Sequence, residues 1–159
     1  MDYFMIRQSG TITIPKAPPE ESAAPEDPSV RAMIDLSLLD KFDYLAMEHL
    51  FSDPLKQVIE QYLPEQLWRP CVFIHPQKKE QKTFWFLPPL PYQPKQVTFA
   101  SNGLPAAIAV EPQDFCKKAP GIFRIRSPKG SVSIVVHLSI AESILRRGIC
   151  GLELVKLSA

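Results

Sequence analysis

The sequence predicts one α+β domain over residues 1–159, built from an antiparallel or mixed sheet, two short helices and long proline-rich loops. Three observations carry that reading. Short runs rich in β-branched and aromatic residues recur from one end of the chain to the other, as strands do. Only two segments set apolar residues at clear helical spacing behind a polar residue able to cap a helix. Seventeen prolines against six glycines in 159 residues break the rest into loops, the proline share being roughly twice the ordinary one. With 45% hydrophobic and 22% charged residues the chain can bury a core unaided, which excludes wholesale disorder and a disulfide-built miniprotein.

Tyr3–Gln8 and residues 11–14 flank Ser9-Gly10, a turn pair between two β-prone runs, and predict an opening hairpin. Residues 15–29, PKAPPEESAAPEDPS, hold five prolines and four carboxylates with nothing large to bury, and predict an exposed connector. The stretch 30–51 is compatible with a strand, short turns or a helix. Beyond it Asp53 can cap a helix with Pro54 at its first position; Leu55, Val58, Ile59, Tyr62 and Leu63 share one face, and Pro64 ends it. Residues 71–74 and 83–87 are strand-like runs around the polar stretch 77–82, an antiparallel hairpin that Pro88-Pro89-Leu90-Pro91 stops. Weaker strand signals cover 97–100, 108–110 and 122–125.

The C-terminal unit reads strand, helix, strand. Residues 132–138 form the first strand, and Ser139 with Glu142 suits a capping box. Ile140, Ile144 and Leu145 make the helix stripe, Arg146 and Arg147 complement its negative end, and Gly148 stops it. Leu152, Leu154 and Val155 form the last strand, with Glu153 and Lys156 facing outward. Residues 50–74 follow the same plan, which suggests a weak internal duplication.

Bulk charge names no partner: 18 Lys and Arg against 17 Asp and Glu leave +1, too little for a phosphate-binding stripe. Cys71, Cys116 and Cys150 are far apart, odd in number and mostly set among apolar residues, which predicts reduced, buried thiols. The N-terminus has no basic region followed by an apolar run, and no window approaches the length of a membrane span, so a cytoplasmic protein is expected. No metal, nucleotide or nucleophile motif of known spacing appears, so no cofactor, no metal and no catalysis are expected.

Three segments carry a resemblance: Tyr3-Phe4-Met5-Ile6-Arg7; Phe51-Ser52-Asp53-Pro54-Leu55-Lys56-Gln57-Val58-Ile59 leading to Arg69-Pro70-Cys71-Val72-Phe73; and Ile144-Leu145-Arg146-Arg147-Gly148-Ile149-Cys150-Gly151-Leu152-Glu153. Together they resemble bacterial polymorphic-toxin immunity proteins of the type first noticed in myxobacteria, the Gly-x-x-Gly-Leu-Glu close at 148–153 being the most recognisable part. The connector 15–29 departs from that pattern. The resemblance implies an α+β antidote encoded beside a secreted toxin, which binds the toxin domain and blocks it in the cytoplasm; it implies no catalytic residue.

For the partner-binding surface the first choice is Trp68, Arg69, Trp85 and Tyr92, because Trp, Tyr and Arg dominate protein interfaces. Their simpler reading is core. The second choice is the carboxylates Glu20, Glu21, Glu26 and Asp27 of the connector. Rival readings are a non-enzymatic adaptor presenting the segment 88–94, whose run at 88–91 fits a PxxP ligand, and a small enzyme pairing Cys150 with His137, oriented by Glu153 or Asp114. Gly148-Ile149-Cys150-Gly151 also looks like the loop of a single-stranded RNA-binding module, but helix termination explains Gly148, and no nucleic-acid partner is expected.

Overall fold

The computed structural model describes residues 2–12, 29–33, 35–63, 66–88, 90, 94, 96–110 and 121–158. In chain order the elements are β1 (Tyr3–Gln8), β2 (Val30–Ala32), a 3-10 turn (Leu36–Lys41), β3 (Tyr44–Leu45), β4 (Leu50–Phe51), α1 (Asp53–Glu60), β5 (Arg69–Ile74) and β6 (Gln81–Phe86). They continue with β7 (Gln96–Phe99), β8 (Pro105–Ala109), β9 (Ile122–Arg126), β10 (Val132–His137), α2 (Leu138–Arg146) and β11 (Leu152–Lys156). The strands form a four-stranded sheet ordered β11-β1-β10-β9, a five-stranded sheet ordered β2-β5-β6-β4-β3, and the β7-β8 hairpin. The architecture is α+β, and the described strands pair antiparallel except β2 beside β5.

Each large sheet holds one split β-α-β unit. β10 and β11, joined through α2, are both antiparallel to β1, which lies between them. β4 and β5, joined through α1, are likewise both antiparallel to the β6 between them. The duplicated plan is therefore a topological repeat: two parallel strands linked by a helix, with one strand inserted. The two helices meet, Tyr62 Oη lying 2.7 Å from Ser143 Oγ and donating to the Ser139 carbonyl at 3.2 Å.

Three apolar clusters follow from this layering. The central one joins both helices (Leu55, Val58, Ile59, Ile140, Ile144) to inward residues of both sheets, among them Ile6, Ile134 and Val136 on one side and Tyr44 and Phe51 on the other. On the outer face of the five-stranded sheet, Cys71, Phe73 and Phe84 pack under Leu36 and Leu39 of the 3-10 turn. On the outer face of the four-stranded sheet, Tyr3, Met5, Phe123 and Val135 pack with Ile108 of the β7-β8 hairpin.

The structure corrects three expectations about these elements. β1 is an inner strand, with β10 on one edge and β11 on the other, so its two edges are taken by partners from the far end of the chain; of the expected hairpin partner 11–14 only 11 and 12 are described, and they form no strand. Residues 13–28, 111–120 and Tyr92 lie outside the described residues, so the connector's four carboxylates, Cys116 and Asp114 do too. α1 is capped by Ser52, whose Oγ accepts the Leu55 N–H at 3.3 Å, while Asp53 is already helical. α2 begins at Leu138 and is capped by His137, whose Nδ1 accepts the Ser139 N–H at 3.2 Å, so Ser139 does not serve as the cap of a box with Glu142.

Leu145 is 71% exposed, and Ala141 takes its place on the buried stripe beside Ile140 and Ile144. Ile144→Ala should therefore cost about 2–5 kcal/mol, and Leu145→Ala well under 1 kcal/mol, in urea unfolding. Equal costs would mean that α2 presents a different face to the core.

Candidate functional site

β5 and β6 are registered Pro70 opposite Trp85 and Val72 opposite Thr83, with Cys71 opposite Phe84 on the other face. Side chains alternate across a strand, so the three described contact residues, Trp68, Arg69 and Trp85, do not share one surface. Trp68 and Trp85 lie on the α1 side. Lys56 of α1 sits over both rings, with Nζ 4.6 Å from the Trp85 centroid and 5.7 Å from that of Trp68, and it pairs with Glu60 on its own helix. Asp53 Oδ1 accepts the Trp85 indole N–H at 2.5 Å. Arg69 points the other way, its guanidinium 5.7 Å from the Phe86 ring.

Burial divides the pair further. Trp68 is 8% exposed and stacks at a tilt on Phe51, with centroids 5.8 Å apart, so it serves the core. Trp85 is half-buried, and beyond it the same face of the sheet stays open: Pro70 is exposed, and Val72, Ile74, Thr83 and Val30 are half-buried. Val30 pairs with Val72 and Ala32 with Ile74, which extends the strip to the edge strand. This gives an apolar strip on strands that the buried opposite face holds rigid.

A second cluster has no counterpart in the sequence reading. The β3-β4 hairpin turns through residues 46–49 and ends on His49, whose φ of 55° is the one positive value outside glycine among the described residues. That turn sets His49 Nδ1 2.7 Å from Tyr44 Oη, with the rings stacked. Arg124 of β9 pairs with Ile134 and so points to the same interlayer, where its Nη2 donates to the Leu87 carbonyl at 2.9 Å and lies 3.5 Å from that of Pro88. Its Nε is buried with no hydrogen-bond partner among the described residues.

Burial and the Arg124 charge push His49 down to about 4, and burial lifts the Tyr44 phenol well above its ordinary value against the pull of Arg124. Burial also lowers Arg124. The ring is thus neutral near pH 7. Because the native His49 holds its proton less tightly than the unfolded one, the unfolded state binds more protons between about pH 4 and the ordinary histidine value. Stability should therefore fall as pH drops through that window, by up to about 1.4 kcal/mol per pH unit from this group. His49→Gln should flatten that slope in urea midpoints measured from pH 7 to pH 4; an unchanged slope would assign it to other groups.

A third feature ties the sheets together. Asp43 accepts from Ser52 Oγ at 2.6 Å and from the Cys150 N–H at 2.7 Å, while its own N–H donates to the Cys150 carbonyl at 2.9 Å. Cys150 is exposed, not buried as expected, because the Gly148–Gly151 turn lifts it onto the surface above Asp43. Partial burial and the Asp43 carboxylate raise its thiol, which keeps it protonated and a poor nucleophile at neutral pH. Cys71 is buried as expected.

Nor do His137 and Cys150 lie on adjoining strands. β1 intervenes, with His137 level with Tyr3 and Leu152 level with Gln8, so the two stand at opposite ends of β1, about 17 Å apart by strand rise. In the PxxP run Pro88 is buried and Leu90 packs against the central cluster, so both face the protein's own interior. Among the described residues no helix is long and apolar enough to cross a membrane, and no group of three or more His, Cys, Asp or Glu could hold a metal ion. Comparison finds no matching family model, no curated protein and no solved structure.

Proposed function

We propose that this protein is an immunity protein: it binds a toxin domain encoded beside it and holds that domain inactive in the cytoplasm of the producing cell. The observation that carries the reading is the open half of the five-stranded sheet, where Pro70, Val72, Ile74 and Trp85 offer a half-exposed apolar strip on rigid strands. Such a surface loses little side-chain and backbone freedom on binding, which is where affinity is most often lost. The segments that resemble immunity proteins support it from another side, since they supply β1, α1 with β5, and the α2-β11 turn, the parts that set this geometry.

The test is direct. The protein should form a stoichiometric complex with the toxin domain encoded by the neighbouring gene and abolish that domain's activity at a one-to-one ratio. Co-expression should rescue growth of cells that the toxin alone kills. A neighbouring toxin domain that stays fully active in excess protein would overturn the proposal.

A further inference from the structure

The geometry points to a small-oxyanion site where β9 meets the β3-β4 turn, held by the Arg124 guanidinium with the His49 ring and Tyr44 hydroxyl beside it and Arg126 at the rim. The site is distinct from the apolar strip proposed above to bind protein. Arg124 and Arg126 alternate on β9 and so point to the same face, and Arg126 is exposed. Among the described residues no carboxylate lies within ion-pair distance of either. Arg124 therefore spends one nitrogen on main-chain carbonyls, keeps a buried N–H unsatisfied, and leaves its charge uncompensated in a half-buried position.

Charges in such positions are ordinarily paired, because desolvation is offset only by an opposite charge with good hydrogen bonds. The guanidinium is suited to that chemistry: it is planar, permanently charged and rich in donors for phosphate or carboxylate oxygens. His49 would complete the site, since an anion beside Arg124 cancels the field that opposes protonation of the ring, and a protonated ring has a donor on each nitrogen. His49 is hydrogen-bonded to Tyr44 of β3 and lies in the field of Arg124, which projects from β9 into the same interlayer, with Arg126 acting on Arg124; its neighbour Glu48 is paired with Arg31 at 2.5 Å. The hydrogen bond and ring stacking to Tyr44 hold the His49 side chain in place.

Inorganic phosphate, titrated into the intact protein at constant ionic strength with chloride as the balancing salt, tests this by NMR. The Arg124 Nε–H and His49 ring signals should shift and saturate. The pKa of His49 should rise by about one unit at saturation, equivalent by linkage to about tenfold tighter phosphate binding when the ring is protonated. His75 and His137, which lie elsewhere, should not respond, and Arg124→Gln should abolish the effect. Shifts that grow without saturating, that are equal at all three histidines, or that persist in Arg124→Gln would overturn the proposal. If Arg124→Gln does not fold, the wild-type titration decides the question by itself.

Discussion

Replacing Gly151 by alanine should destabilise the fold by about 3 kcal/mol or more, a fall of roughly 6–12 °C in melting temperature for a chain of this size. A Cβ at this position would stand 2.3 Å from the Lys41 carbonyl oxygen and 2.5 Å from Phe42 Cα, so the obstacle is backbone. Its φ of +71° adds a conformation that side chains disfavour. The only relief is to separate the turn from the end of the 3-10 segment, which breaks the Asp43 contacts to Cys150 and the 3.0 Å bond from the Ser9 N–H to the Gly151 carbonyl. Gly148 is the control: its φ is +64° but its Cβ would meet open space, so Gly148→Ala should cost only about 1–2 kcal/mol. Equal melting temperatures for the two variants would mean that the close approach of the two segments is not what holds them.

Phe51→Ala should cost about 3–5 kcal/mol, the ordinary range for removing a fully buried aromatic ring. Phe51 is 0% exposed at the centre of the layer shared by both sheets and both helices. Its ring meets Tyr44 edge-on at 5.7 Å and Trp68 at 5.8 Å, so the cavity would open between two side chains that cannot easily collapse into it. Phe51→Leu should recover most of the loss. Urea unfolding gives the numbers, and Trp68 fluorescence should report the change in its neighbour. A loss below about 1 kcal/mol would place Phe51 outside the main core.

The parts of this fold that were legible in the sequence are the ones whose signal is local. α1 is announced by Pro54 and the spacing of Leu55, Val58 and Ile59, and the β5-β6 hairpin by two apolar runs around a polar turn. Both strand-helix-strand plans could be read, although the strand inserted into each could not, because β1 pairs with β10 and β11, and β6 with β4, across long stretches of sequence. Ser9-Gly10 signals a turn truthfully but says nothing about which strand lies beside Tyr3–Gln8. The run Ile122-Phe123-Arg124-Ile125 did contain a clue, since a charge in an otherwise apolar strand marks an inward-facing group that needs partners. Those partners sit in the hairpin within residues 30–51, where no periodic pattern or glycine announces a turn ending on His49. The aromatic residues drew attention for their type, while strand parity and burial, which only pairing reveals, give Trp68 to the core, leave Trp85 on the half-open face and turn Arg69 away.

The most direct test of toxin binding by the β5-β6 strip is the affinity of the purified protein for the toxin domain of its neighbouring gene, measured by calorimetry for the wild type, Trp85→Ala and Val72→Lys. Val72 lies outside the three clusters as described, so its substitution adds a charge to the strip without opening a cavity. An immunity protein that binds through this strip should show tight one-to-one binding in the wild type, with each variant folded and weakened by about 2 kcal/mol or more, roughly thirtyfold in Kd. Unchanged affinity in both folded variants, or no binding by the wild type, would contradict toxin binding by the strip.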